Sequence, residues 1–164
     1  MNSSPATLSS KTTESHEVAW QRWGMFYLRI ALGISFLSGI ADRFGLYTGR
    51  NVGYGNFAGF MRYTAQVNSF MPASTIPFLA WAATVAELAF GLALVLGIWL
   101  RWAARGSSIL LVLFGTAMAI SFGIKSPLDY SVFSASAAAV LLGRAARAVD
   151  QSISGLVDQE GGLP

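Results

Sequence analysis

The chain has 164 residues, of which 54 % are hydrophobic and 12 % charged, and its formal net charge is +3. Soluble domains carry about 25 % charge, so this composition belongs to a membrane protein, and scattered arginines without a basic run argue against nucleic-acid binding. There is no cysteine and one histidine, His16, which excludes thiol–disulfide relays and Cys-held clusters and leaves no donor set for a bundle-type metal or haem site.

In chain order, residues 1–19 are polar and Ser/Thr-rich without an apolar period, and read as a disordered tail. They lack the apolar region of a cleaved signal peptide, so the first spanning helix would act as an uncleaved anchor. That helix is expected over Trp23–Ala41, broken only by Arg29. Arg22, Arg29 and Arg43 recur at helical spacing with Gly33 four residues past Arg29, which puts them on one face. That face is expected to turn into a bundle.

Asp42–Ser74 is a long connection. Gly45, Gly49, Gly53 and Gly55 mark turns, and Asn56 is placed to cap a short helix. Within that helix Phe57, Phe60, Met61, Thr64, Val67 and Met71 share a face opposite Arg62 and Gln66, the pattern of an amphipathic interfacial segment. Pro72 and Pro77 close the connection and open the next helix.

The second span is expected over Ile76–Leu100, IPFLAWAATVAELAFGLALVLGIWL. Roughly 25 residues at about 1.5 Å each reach ~37 Å, enough for a hydrocarbon core of ~30 Å. Glu87 sits near its centre, where a carboxylate costs several kcal/mol unless paired, protonated or wetted. Ala80, Ala83, Thr84, Phe90 and Gly91 surround it and form a mostly small-residue surface for another helix. The third span, about Trp102–Ile124, carries the small-residue ladder Gly115, Ala119, Gly123. The fourth, about Leu128–Ala146, is rich in Ala and Ser and reads as a helix packed on both flanks.

The expected fold is an all-α integral membrane four-helix bundle over residues 20–147, with an amphipathic interfacial helix between the first and second spans. Residues 148–164 read as a flexible tail. Lys11, Arg22, Arg101, Arg105, Arg144 and Arg147 would share one side, and Arg43, Arg50, Arg62 and Lys125 the other. This places both termini in the cytoplasm; the expected membrane is the inner membrane of a bacterium. Trp20, Trp23, Trp81, Trp99 and Trp102 suit an aromatic belt.

Two groups of residues are candidates for chemistry. Arg29 and Glu87 lie on antiparallel neighbours at depths differing by about 6 Å, within reach of an ion pair. Such a pair either fixes helix register or floors a cavity for a polar head group or a proton. Asp42 and Arg43, at the outer end of the first helix, read either as a solvated helix end or as the mouth of that cavity. Tyr47, Tyr54, Tyr63, Asp129 and Tyr130 could join them there; Asp129 also suits a helix N-cap, and Lys125 snorkelling to the interface. No phosphate loop, nucleophile elbow or metal-ligand spacing is present, so the chain offers no catalytic centre of its own.

The run LRIALGISFLSGIADRFG, the loop ending FMPASTIPF and the run AELAFGLALVLGIWLRWAA resemble the DoxX family of small four-helix membrane proteins. Arg29, Gly33 and Ser38-Gly39, Glu87 with Gly91, and Gly97 followed by Arg101 carry the resemblance, over roughly Leu28 to Ile124. Asp42-Arg43 stands where the family often has a lysine. The resemblance implies a four-helix membrane fold. It also implies an accessory or anchor role in a quinone-linked membrane oxidoreductase complex, with a bound quinone or lipid, the bilayer and other subunits as partners. The alternatives are a binding or transport module for a small amphiphile and a purely structural assembly factor.

Overall fold

The computed structural model describes the backbone of residues 5–160, and side-chain surroundings for 20–148 apart from Asn51, together with Gln151. Six α-helices succeed one another among these residues: α1 Pro5–Arg43, α2 Phe57–Val67, α3 Ile76–Leu96, α4 Leu100–Phe122, α5 Lys125–Asp129 and α6 Val132–Glu160. Trp20–Arg43, Ala73–Leu96 and Leu100–Phe122 are long and apolar enough to cross a membrane.

The helix ends reflect local chemistry. Gly97 stops α3 in the left-handed conformation, φ 74°, and two residues later Trp99 is left-handed as well, φ 45°. The amides of Gly97 and Ile98 both donate to the Ala93 carbonyl. The second helix therefore ends at Leu96 rather than Leu100, and a three-residue turn sends α4 straight back along it. Asn56 caps α2 as expected, accepting the Gly59 amide at 2.8 Å. Phe60, Thr64 and Val67 are the buried face of α2.

Three boundaries depart from expectation. The first helix begins at Pro5, so residues 5–19 are helical: no Gly or Pro falls between Ala6 and Trp23 to stop the helix. Likewise α6 continues to Glu160 and takes in most of the stretch expected to be a tail. The parts of those tails at residues 1–4 and 161–164 lie outside the described residues. Finally, α6 starts at Val132 and not near Leu128, because Ser131 is left-handed, φ 54°, and separates it from the single turn of α5.

The long helices contact one another in sequence: α1 on α3, α3 on α4, α4 on α6, and α6 on α1, with α2 laid against α3 and α4. Their shared core holds Leu32 and Phe36 of α1, Leu94 of α3, Ala103 and Ala104 of α4, and Ala139 and Leu142 of α6. Small and polar residues let α4 and α6 approach. Gly115 sits under the Phe133 ring, and the Ser108 and Ser136 hydroxyls lie 3.1 Å apart.

The register of α1 against α3 sets which polar groups meet between them. Gly33 lies where a Cβ would come within 3.0 Å of the Gly91 carbonyl, and a Cβ on Gly39 would lie 3.6 Å from Glu87 Oε2. Farther along, Arg43 reaches Thr84 and Glu87. Each step up α1 is matched by a step back along α3. At the top, α1 stops level with Thr84 while α3 extends eight residues further to Ile76, about 12 Å of helix. The loop after Arg43 and α2 fill that space.

Candidate functional site

Arg43, the last residue of α1, projects into the protein and pairs with Glu87. Its Nη2 donates to Oε1 at 2.8 Å and to Oε2 at 2.7 Å, and its Nη1 donates to the Thr84 hydroxyl at 3.1 Å. The two side chains are 3 % and 6 % exposed. Thr84 passes its own proton to the Ala80 carbonyl at 2.7 Å, which leaves its oxygen free to accept from Arg43. The Phe60 ring lies beneath the guanidinium, 3.5 Å from its carbon, and Tyr54 lies at 5.9 Å. Gly39, one turn before Arg43, is the clearance that admits the carboxylate beside α1.

Asp42 holds the covering loop. Its Oδ2 accepts the Tyr54 amide at 2.6 Å and the Gly53 amide at 3.1 Å, and Oδ1 also accepts from Gly53 at 3.2 Å. The carboxylate is thereby buried on backbone donors. Tyr54 is set over Arg43 and packs edge-on to Phe60, with ring centroids 5.1 Å apart. Burial is the main reason its phenol is pushed up to about 12, with the neighbouring Tyr63 adding to the effect. Burial likewise raises Tyr63.

Beside the pair is a cavity of about 690 Å³, within the usual range for ligand pockets. Ser35, Phe36 and Gly39 of α1 form one wall, and Leu111, Phe114 and Met118 of α4 another. Arg43 and Glu87 line it, as do Tyr54, Arg62, Tyr63 and Gln66 from the loop and α2, and Tyr130. Within this lining Arg43 Nε is buried and has no hydrogen-bond partner.

The expected ion pair therefore forms around Glu87 with a different arginine. Arg29 is not its partner: the guanidinium of Arg29 lies against Gly97, ten residues past Glu87 on α3, or about 15 Å along the helix. The expected depth difference was about 6 Å. The inset of Arg43 shifts the register by about two turns. Arg29 also stacks on Phe26 at 5.2 Å, and its buried Nε has no partner.

The other candidates divide. Tyr63 and Tyr130 line the cavity, although Tyr130 is largely exposed. Asp42 is engaged by the loop amides and does not line the cavity. Asp129 ends α5 instead of capping a spanning helix, and forms an exposed pair with Lys125 one turn away. Tyr47 bonds Ser38 at 2.9 Å. Of the packing residues, Gly33 and Gly91 seat α1 on α3 and Gly115 seats Phe133 of α6, while Gly123 ends α4 with nothing near it. Ala119 is half-buried. Phe60 was legible only as part of the apolar face of α2 and Gly39 only through the family resemblance, and neither signal pointed to a place beneath Arg43 or beside Glu87.

The family model described as DoxX matches residues 24–124. No curated protein and no solved structure matches the chain.

Proposed function

The chain belongs to the DoxX family and is a multi-pass membrane protein, and from that premise we propose that it is a binding module for a small amphiphile with a polar head. The observation that carries this reading is the buried Arg43–Glu87 pair lining a cavity of about 690 Å³. An ion pair that served register alone would be enclosed by side chains. Here it borders open volume, together with three tyrosines, Tyr54, Tyr63 and Tyr130, and with Gln66 and Arg62. With α6 as a fourth span, the bundle would present this cavity toward one face of the bilayer, under the loop held by Asp42.

A second reading is an accessory subunit of a quinone-linked oxidoreductase complex. One feature favours it: the lining is rich in donors, and the Nε of Arg43 has none of its hydrogen-bonding capacity used. Such a lining suits the carbonyl oxygens of a quinone. Both readings make the chain a holder of a ligand, not the site of bond-making.

The test is extraction in mild detergent, then native mass spectrometry and lipid analysis of what remains bound. A retained amphiphile, displaced in a Tyr54→Phe, Gln66→Ala variant that still melts cooperatively, supports binding. A quinone and an oxidoreductase subunit in the same preparation support the second reading. An empty wild-type protein that takes up neither alkylquinones nor alkanoates overturns both.

A further inference from the structure

A second cavity, of about 300 Å³, lies between α2, α3 and α4. Its α3 wall holds Leu79 and three alanines, Ala82, Ala83 and Ala86, and Leu113 and Ala117 of α4 line it from the other side. Leu113 is 62 % exposed, so this space opens onto the outer, lipid-facing surface of the helix hairpin. Two polar side chains in its lining bond within α2: the Thr64 hydroxyl donates to the Phe60 carbonyl at 2.9 Å, and Asn68 Nδ2 donates to the Thr64 carbonyl at 2.9 Å. No charged side chain lines it, in contrast to the first cavity with its unpartnered Arg43 Nε.

The two cavities share three residues, Phe60, Tyr63 and Phe114. These rings stand between a polar chamber and an apolar one. Resting on the head-group reading, we propose that the apolar chamber holds the tail of the same ligand. The ligand is then a single-tailed amphiphile with an oxygen-bearing head, entering sideways from the lipid between α3 and α4. Because a tail gains little on moving from lipid into an apolar groove, the groove acts by shape: it admits one unbranched chain and excludes bulk.

The test compares two probes, a tailless methyl-substituted benzoquinone and the same ring with a decyl tail, on the full chain in lipid nanodiscs. The variants are Ala86→Leu and, on the facing helix, Ala117→Leu, each of which fills the groove without touching the polar chamber. The expected result is unchanged binding of the tailless probe and about tenfold weaker binding of the decyl probe, the size of a steric overpacking penalty. A photoreactive group at the tail end should label α3 or α4 near these alanines in the wild type. Equal binding of both probes by wild type and by both variants, with labelling elsewhere, overturns the tail assignment and leaves the head-group reading standing. Failure of both probes to bind saturably overturns both readings.

Discussion

One nitrogen of Arg43 donates to both carboxylate oxygens of Glu87, 44 residues later in the chain, at 2.8 and 2.7 Å. Two full charges are thereby held out of water on the partner each needs. Removing one leaves the other stranded in an apolar interior, which costs about 3–5 kcal/mol, whereas removing both together is far less harmful. Arg43→Met and Glu87→Leu should each lower the thermal midpoint in detergent sharply, and the double variant should recover most of the loss. Arg29→Met should leave this coupling untouched, since that side chain lies against Gly97. Additive losses in the Arg43/Glu87 cycle would contradict the pairing.

Asp42 tests the loop. Asp42→Asn keeps the shape but removes the charge that the amides of Gly53 and Tyr54 are aimed at. Its cost should be about 1–3 kcal/mol, felt locally. Amide hydrogen exchange at Gly53 and Tyr54 should quicken by one to two orders of magnitude, with the amides of α3 unchanged.

The glycines of α4 should behave in opposite ways. A Cβ on Gly115 would come within 2.8 Å of the Phe133 ring, so Gly115→Val should push α6 away at a cost of about 1–3 kcal/mol. Gly123 has nothing within reach, but its φ of +84° and ψ of 159° lie in a region essentially restricted to glycine, so Gly123→Ala should cost about 1–3 kcal/mol through backbone strain alone. Cysteine crosslinking between α4 and α6 separates the two: it should fall in the first variant and persist in the second.

Tyr54 makes stability pH-dependent at the alkaline end. Its phenol is pushed up to about 12 from an ordinary 10.0. The unfolded chain therefore ionises first as pH rises. The contribution of Tyr54 is complete below pH 10.0 and is lost as pH climbs toward about 12. Ultraviolet titration of tyrosinate should show Tyr54 and Tyr63 ionising late, and Tyr54→Phe should remove the step near about 12.

Much of the helical pattern was legible in the sequence because apolar length and capping chemistry are local properties. Asn56, Pro77 and the apolar run from Ile76 declare their elements by themselves. Glu87 was equally plain, being the only acid in a long apolar run. Its partner was not, because partner choice depends on register, and register depends on how far α1 stops short of the end of α3. Nothing local to Arg29 or Arg43 encodes that offset. It is set by Gly33, Gly39 and Gly91 meeting across the two helices, and by the amides of Gly53 and Tyr54 folding back on Asp42. The continuation of α1 into the Ser/Thr-rich segment escaped for a different reason: polarity alone does not stop a helix once one has begun.

The inset end of α1 has an electrical meaning. Where a longer first helix would stand, about 12 Å of height is filled by the folded-back loop and α2, and a polar-lined recess lies beside the last turns of α1. A full crossing of the bilayer by one unit charge is worth about 2.3 kcal/mol per 100 mV. A charge travelling between the water beyond that loop and Glu87 crosses only part of that drop, so gain or loss of a proton at this carboxylate would feel the membrane voltage weakly.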